Sequence, residues 1–128
     1  MPPAQKAILL VDDDNEIVES MRTVLESKGY RIMVARDGNS GLTVAERENP
    51  DLIVLDMMMP GRSGLEVLTE LRRDPELRGI PVLMLTARAQ LTDREAAHLA
   101  GADRFLAKPF SPLELDGVVK ELLGNDHG

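Results

Sequence analysis

Cysteine is absent from this sequence of 128 residues, which excludes disulfides and thiolate metal sites. Any metal ion that the chain binds must therefore be held by oxygen ligands. Aromatic residues are scarce, because two Phe and one Tyr leave no platform on which bases could stack. Positive charge is also scarce: 15 Lys and Arg oppose 22 Asp and Glu, and the net charge is -7. We therefore expect no direct binding to nucleic acid, which requires clustered basic residues.

The sequence has no long hydrophobic run. Its apolar segments have the length of strands, as at Ile53–Leu55, and are too short to span a membrane. The apolar run Ala7–Val11 is also too short for the core of a secretory signal. We therefore expect a cytoplasmic protein without a membrane segment. The length fits one domain over residues 1–128, with its core at about 6–123 and a polar tail at 124–128.

Short apolar runs alternate with stretches of helical periodicity, which is typical of an α/β domain. Most of these runs are apolar on both faces, as in parallel strands that helices cover on each side. We therefore expect a parallel sheet of five strands. The predicted strands are Ala7–Val11, Tyr30–Val34, Asp51–Leu55, Pro81–Leu85 and Asp103–Leu106.

Between the predicted strands, apolar residues recur at helical spacing, with strong stripes at Ile17–Leu25, Leu65–Leu71 and Leu115–Leu122. The stretches Leu42–Glu48 and Thr92–Ala100 are weaker helices rich in small residues. Gly29 is placed to end the first helix, and Ser111-Pro112-Leu113-Glu114 is a capping box that begins the last one. We expect five helices, which with the sheet make three layers.

Acidic residues follow two of the predicted strands. Asp12, Asp13 and Asp14 come directly after the first strand, and Asp56 comes directly after the third. In open α/β sheets, ligands bind at the edge where strands end. Asp14 is explained as a helix cap, but capping does not explain Asp12 and Asp13. Like charges this close cost stability unless a cation lies among them, and oxygen ligands suit Mg²⁺.

Two further polar residues end strands at the same edge. Thr86 follows the fourth strand and Lys108 follows the fifth. Taken alone, Thr86 could be a local hydrogen bonder and Lys108 a solvated side chain. Together with Asp56 and a divalent cation, a hydroxyl and an ammonium are the groups that phosphoryl transfer to a carboxylate requires. Asp56 needs no general base, because a carboxylate is ionised at neutral pH.

Other residues that could carry chemistry have simpler explanations. His98 lies in a short alanine-rich helix and His127 in the polar tail, so both are interpreted as surface residues. Met57–Met59 could suggest a soft-metal site. Without Cys or His beside them, packing of the loop is the better interpretation.

Four motifs, in this order and spacing, resemble the receiver domains of two-component response regulators over essentially the whole chain: ILLVDDD, DLIVLDMMMPGRSGLEVL, LMLTA and GADRFLAKPF. The resemblance implies a flavodoxin-like, doubly wound sheet of order 2-1-3-4-5. It also implies phosphorelay signalling, in which the domain takes a phosphoryl group from a histidine kinase or phosphotransfer protein. The domain would catalyse its own phosphorylation and dephosphorylation rather than act as an enzyme on another substrate.

The resemblance assigns a role to each site residue. Asp56 would be phosphorylated, Lys108 would contact the phosphoryl group, and Lys108–Pro109 would be a cis peptide bond. Mg²⁺ would be bound by Asp13, by Asp56 and by the backbone carbonyl of Met58, with Asp12 acting through water. The remaining roles are a switch hydroxyl at Thr86, a switch aromatic at Phe105, and flanking of the approach to the phosphoryl group by Met58 and Arg88.

The implied output is a change in the surface of the last helices and strand, which would control a downstream protein or a missing output domain. One family feature is not retained. Receiver domains joined to winged-helix domains usually carry an Asp and an Arg that pair across a dimer, where this chain has Arg104 and, near that place in the last helix, Val118. The sequence therefore does not favour that form of dimer.

Two alternatives remain at this stage. The first is a Mg²⁺-dependent phosphatase of the haloacid dehalogenase type, which also uses an Asp nucleophile and a Lys. Such enzymes need a second Asp two residues after the nucleophile, where this chain has Met58. The second is an inactive flavodoxin-like interaction module, which the presence of all five site residue types disfavours.

Overall fold

The computed structural model describes residues 5–87 and 101–124. Five strands lie in this part of the chain: β1 Ala7–Val11, β2 Arg31–Ala35, β3 Leu52–Asp56, β4 Val82–Ala87 and β5 Arg104–Lys108. Its four helices are α1 Asn15–Ser27, α2 Gly38–Glu48, α3 Gly64–Arg73 and α4 Pro112–Leu123. None of these helices is long and apolar enough to cross a membrane. The helix predicted at Thr92–Ala100 lies outside the described residues, as do Arg88, His98 and His127.

The strands form one parallel sheet in the order β2-β1-β3-β4-β5. Val11 at the end of β1 pairs with Ala35 of β2 on one side and with Leu55 of β3 on the other. All five residues of β1 are buried, as expected of a central strand that helices cover on both faces. The flavodoxin-like order that the resemblance implied is therefore confirmed.

Alternate residues of the central strands supply two cores, one on each face of the sheet. Leu9 and Val11 of β1 belong to the core that α2 and α3 cover, whereas Ile8 and Leu10 belong to the core under α1 and α4. The side chains alternate because successive residues of a strand point to opposite faces. The described part of the chain thus has the three layers predicted. The helix residues that fill these cores include Ala45, Val67, Leu68, Leu71, Val18, Met21, Leu25, Leu115 and Val119.

Four predicted strands are wrong at their ends. All four begin one residue later than predicted; β2 also ends one residue later, at Ala35, and β3 extends to Asp56. β4 continues through Thr86 to Ala87, and β5 continues to Lys108. The reason is that pairing is made by the backbone: the Met57 N–H, for example, still donates to the Leu85 carbonyl at 3.0 Å. Asp56, Thr86 and Lys108 are polar and carry no apolar signal, so the sequence pattern stops short of them.

The predicted helix boundaries are confirmed where caps define them. The Asp14 side chain accepts hydrogen bonds from the backbone N–H groups of Glu16 and Ile17, and so begins α1. Ser111 and Glu114 form the capping box that begins α4. Gly29, just after α1, has a φ of 93°, a conformation that glycine adopts without strain.

Gly64 brings the start of α3 against the end of β3. Its N–H donates to the Met57 carbonyl at 3.0 Å. A Cβ atom at this position would lie 2.1 Å from the Asp56 backbone oxygen, which cannot move away as a flexible side chain could. Because Gly64 has no side chain, α3 can begin directly against the end of β3, and the loop after Asp56 can follow a tight path.

We predict that Gly64→Ala lowers the free energy of unfolding by about 3 kcal/mol, because backbone must shift to admit the methyl group. Gly117→Ala is the matched control, since a Cβ at Gly117 in α4 meets nothing within 4 Å. That change should raise the free energy of unfolding by about 0.5–1 kcal/mol through helix propensity. Urea unfolding measures both variants, and equal effects would contradict the close approach described for Gly64.

Candidate functional site

The carboxyl ends of the strands deliver charged residues to one edge of the sheet. Asp12 directly follows β1, Asp56 ends β3 and Lys108 ends β5. Parallel strands all end at the same edge, so side chains far apart in sequence meet there. They form a cleft lined by Asp12, Asp13, Asp14, Asp56, Met58, Ala87 and Lys108.

Lys108 joins the two buried carboxylates of the cleft. Its Nζ donates to Asp56 Oδ1 at 3.0 Å and to Asp12 Oδ2 at 3.1 Å. The Asp12 side chain is 0% exposed, that of Asp56 7% and that of Lys108 20%. A charge buried to this degree requires a partner, and one ammonium serves both carboxylates. The Lys108–Pro109 peptide bond is cis, as the resemblance implied.

Negative charge exceeds positive charge at this edge of the sheet. The pKa of Asp56 is raised to about 6: burial is the main cause and the charges of Asp12 and Asp13 add to it, against the opposing effect of Lys108. Burial alone would lower the pKa of Lys108, but its hydrogen bonds to Asp56 and Asp12 and the charges of both outweigh burial and raise that pKa. The ammonium is therefore firmly charged, whereas ionised Asp56 has too little positive charge around it.

Three carboxylates are arranged so that they could hold a cation. Oxygens of Asp12, Asp13 and Asp56 all lie within 4.8 Å of one another. The Asp14 N–H donates to Asp12 Oδ1 at 3.0 Å and so orients that carboxylate. Asp13 is exposed, which leaves the group open to solvent on one side. A set of hard oxygen ligands with excess negative charge fits a divalent ion of the Mg²⁺ type.

Thr86 lies at the same edge on β4, between β3 and β5. Its side chain is buried, with 1% of the residue exposed, and its Oγ1 has no hydrogen-bond partner within residues 5–87 and 101–124. Thr86 pairs with Ala107 of β5, the residue next to Lys108. Phe105, two residues earlier on β5, is partly buried against the core under α2 and α3. A buried hydroxyl without a partner is costly, so Thr86 would gain a hydrogen bond from any acceptor that came within its reach.

The structure thus brings together Asp12, Asp13, Asp56 and Lys108, and places Thr86 and Met58 beside them. Met58 is 59% exposed at the mouth of the cleft. Arg88, predicted to flank the phosphoryl group, lies outside the described residues. The roles that the resemblance assigns to these residues are predictions.

One feature beside the site was not predicted from the sequence. A recess runs from Lys108 along α1, lined by Glu16, Ile17, Ser20, Lys108, Pro109 and Phe110. The helical spacing predicts Ile17 as a core residue of α1, and Phe110 is the last residue of the GADRFLAKPF motif. Neither pattern indicates that the two residues line the same recess, because this depends on how the chain after β5 passes α1.

The departure from the dimer-forming pattern has a local explanation. Arg104 of β5 forms an ion pair with Glu121 of α4 in the same chain. Val118 is partly buried and packs against the core under α1 and α4. Arg104 thus has a partner within its own domain, and Val118 has an apolar role.

The order of the sheet and the acidic cleft with its lysine define a receiver domain, the phosphoacceptor unit of phosphorelay signalling. The family model for the response regulator receiver domain matches residues 8–120. That match covers most of the sequence, and this chain accordingly belongs to the response regulator receiver domain family.

Known proteins that resemble the chain agree with this assignment. The alkaline phosphatase synthesis transcriptional regulatory protein PhoP of Bacillus subtilis (strain 168) is 44% identical over 118 residues, which are 92% of this chain and 48% of PhoP. The chain spans about half the length of the curated relatives it matches.

Two solved structures extend the comparison. The chemotaxis response regulator CheY4 of Vibrio cholerae has a TM-score of 0.89 at 29% identity, over 94% of this chain and 100% of its own. The receiver domain of the sensor histidine kinase PA1611 from Pseudomonas aeruginosa PAO1 has a TM-score of 0.87 at 34% identity, over 95% of this chain and 100% of its own. That domain was solved with a magnesium ion coordinated in its active site cleft.

The pKa of Asp56 generates a prediction about stability. The group titrates at 3.8 when unperturbed and at about 6 in the folded chain, so the folded state holds its proton more firmly. Its contribution to stability is complete at low pH and is lost as the pH rises through about 6. Asp56→Asn removes this loss. In EDTA, the free energy of unfolding of the variant, relative to that of wild type, should therefore rise by on the order of 2 kcal/mol as the pH is raised from about 4 to about 7.

Urea unfolding across this pH range measures the difference. Asp13→Asn is the control, because Asp13 is exposed and should show a smaller change. If the free energies of unfolding of Asp56→Asn and wild type differed by the same amount at every pH, burial of the Asp56 charge would not have this cost.

Proposed function

We propose that the chain accepts a phosphoryl group on Asp56 from the phosphohistidine of a histidine kinase or phosphotransfer protein. The observation that carries this proposal is the position of Asp56, whose carboxylate lies in an open cleft with an ammonium 3.0 Å away. A carboxylate oxygen attacks the phosphorus, the phosphorus–nitrogen bond breaks, and the imidazole leaves with the electron pair. Donor and acceptor must lie in line, so the open cleft is essential.

The neighbouring side chains would stabilise the transferred group. Lys108 would move its hydrogen bond from Asp56 Oδ1 to a phosphoryl oxygen, and the Thr86 hydroxyl would donate to another. Asp13, Asp56 and the Met58 carbonyl would hold Mg²⁺ directly, with Asp12 acting through water. Bound Mg²⁺ would neutralise the negative charge that otherwise repels the incoming phosphoryl group.

The same arrangement supports a signalling role in preference to the alternatives. A phosphatase of the haloacid dehalogenase type requires an acid and base two residues after the nucleophile, and Met58 cannot serve. An inactive module would have no reason to keep a charge pair and a hydroxyl at the same edge. We propose instead that the domain promotes its own phosphorylation and its own slow dephosphorylation, with Met58 and Arg88 flanking the phosphoryl group.

The relatives support a proposal about the domain, its output and its location in the cell. We propose that residues 1–128 form one receiver domain, with a core at about 6–123, which controls a downstream protein or an output domain. The net charge of -7 favours output through protein contacts rather than direct binding to nucleic acid. A cytoplasmic location is proposed because several relatives carry names of transcriptional regulators, which act where the chromosome lies.

Incubation with acetyl phosphate and Mg²⁺ should add one phosphoryl group to wild type and none to Asp56→Asn, as measured by intact mass. Asp13→Ala should weaken Mg²⁺ binding by about tenfold or more. Asp14→Ala is the matched control, because the Asp14 side chain caps α1. Full labelling of Asp56→Asn at another residue would contradict the acceptor assignment. Equal losses in Asp13→Ala and Asp14→Ala would contradict the metal ligands.

We further propose that Thr86 and Phe105 couple phosphorylation of Asp56 to a change in the surface of β5 and α4. The Thr86 hydroxyl would reach a phosphoryl oxygen only when its backbone shifts inward, and the space that it leaves would admit the Phe105 ring. Two features support this coupling: Thr86 pairs with Ala107 in the strand that carries Phe105, and the buried Thr86 Oγ1 lacks a partner among the described residues.

Backbone chemical shifts before and after phosphorylation test the coupling. Wild type and Thr86→Ser, which keeps the hydroxyl, should show shift changes that extend along β5 into α4. Thr86→Ala should be phosphorylated but show changes only near Asp12, Asp13 and Asp56. If Thr86→Ala moved α4 as wild type does, the hydroxyl would not be the link.

A further inference from the structure

We propose that Met58 is a site of reversible oxidation, and that its sulfoxide shortens the lifetime of the phosphoryl group on Asp56. The inference rests on the proposed acceptor role of Asp56 and adds a regulatory input to the same site. The oxidant is a two-electron peroxide such as hydrogen peroxide. The juxtaposition that carries the proposal is an exposed thioether in the wall of the cleft that holds the Asp56 carboxylate.

Three consecutive methionines differ sharply in their access to solvent. Met57 is 5% exposed, Met58 is 59% exposed, and Met59 is partly buried against the core under α2 and α3. The other methionines that the structure describes are buried or partly buried: Met21, Met33 and Met84. Met58 is thus the one exposed methionine within residues 5–87 and 101–124. Because oxidation follows access to the sulfur, a dilute oxidant should reach Met58 first.

Met58 is more exposed than the methionine on either side of it. An apolar side chain gains from burial, which is nearly complete at Met57 and partial at Met59. Met58 instead lines the cleft together with Asp12, Asp13 and Lys108. We therefore expect an oxygen added to its sulfur to lie at the cleft that holds the acceptor carboxylate.

The oxidation step is chemically simple. A sulfur lone pair attacks one peroxide oxygen, a sulfur–oxygen bond forms, and the oxygen–oxygen bond breaks. The sulfur loses two electrons, the peroxide gains them, and water leaves. The product is a polar sulfoxide whose oxygen is a strong hydrogen-bond acceptor, whereas the thioether accepts only weakly.

The new acceptor changes what the cleft can do to a phosphorylated Asp56. Hydrolysis requires a water whose oxygen attacks phosphorus while the bond from phosphorus to the Asp56 oxygen breaks, giving carboxylate and phosphate. Thioether sulfur orients such a water poorly. A sulfoxide oxygen can accept one of its protons in a hydrogen bond and hold it beside the phosphorus. Oxidation of Met58 should therefore speed the loss of the phosphoryl group.

The first measurement locates the oxidation. Dilute hydrogen peroxide is applied to the unphosphorylated chain and removed with catalase, and peptides are analysed by mass spectrometry. Met58 sulfoxide should form at least about tenfold faster than Met57 sulfoxide. Equal rates for the two neighbours would overturn the proposal, because the cleft would then give Met58 no special access.

The second measurement follows phosphoryl decay after donor removal, in Mg²⁺, for oxidised and untreated protein. Oxidised wild type should lose the group about threefold faster or more, and methionine sulfoxide reductase should restore the slower rate. Met58→Leu keeps an apolar side chain but cannot form a sulfoxide, so peroxide should leave its own decay rate unchanged. Met59→Leu is the matched control and should respond to peroxide as wild type does.

The outcomes separate this inference from the proposed function. Absence of phosphorylation in untreated wild type would remove the acceptor role itself. Normal phosphorylation with the same decay before and after Met58 oxidation would overturn only the oxidation proposal. An equal response to peroxide in Met58→Leu would also overturn it, because the sensitive group would lie elsewhere. As an independent check, Met58→Gln should shorten the lifetime without any oxidant, since its amide oxygen also accepts a hydrogen bond.

Discussion

The excess of carboxylate over ammonium at one edge of the sheet is the constraint on which the site depends. Lys108 bonds to both Asp12 and Asp56, and Asp13 has its carboxylate oxygen within 4.8 Å of theirs. One positive charge cannot balance three negative charges in a partly buried cleft. Burial is the main cause of the raised pKa of Asp56, and the imbalance adds to it. The imbalance also supports the affinity for a divalent cation that we propose. It is also the reason why we propose that phosphorylation requires a cation bound in the cleft.

The fold imposes this imbalance and stabilises it. Strand order 2-1-3-4-5 places the ends of β1 and β3 side by side and brings β5 close enough for Lys108 to reach both. Two cores of apolar side chains hold the central strands. Their burial stabilises the fold and so offsets the free energy lost by crowding like charges at the site. Gly64 adds the local condition, because only a residue without a side chain lets α3 begin so close to the end of β3.

The sequence predicted the sheet order by resemblance, and the polar residues at the strand ends from the alternation of apolar runs. It predicted Asp14 and Ser111 as caps, because capping is local in sequence. It did not predict that Lys108 bonds to two carboxylates, that Gly64 lies against the Asp56 backbone, or that Arg72 makes several hydrogen bonds. The Arg72 guanidinium binds the carbonyls of Gly101 and Ile80 and the Asp103 carboxylate. Such contacts depend on distances between elements, which no local pattern encodes.

The most direct test of this account is the number of protons released when Mg²⁺ binds. Calorimetric titration at about pH 6, in buffers of different ionisation enthalpy, should show about half a proton released per ion bound, because Asp56 is then half protonated. At about pH 8 the release should vanish, since Asp56 is already ionised. Binding of Mg²⁺ at about pH 6 with no proton release would contradict the claim that uncompensated charge at Asp56 governs the site.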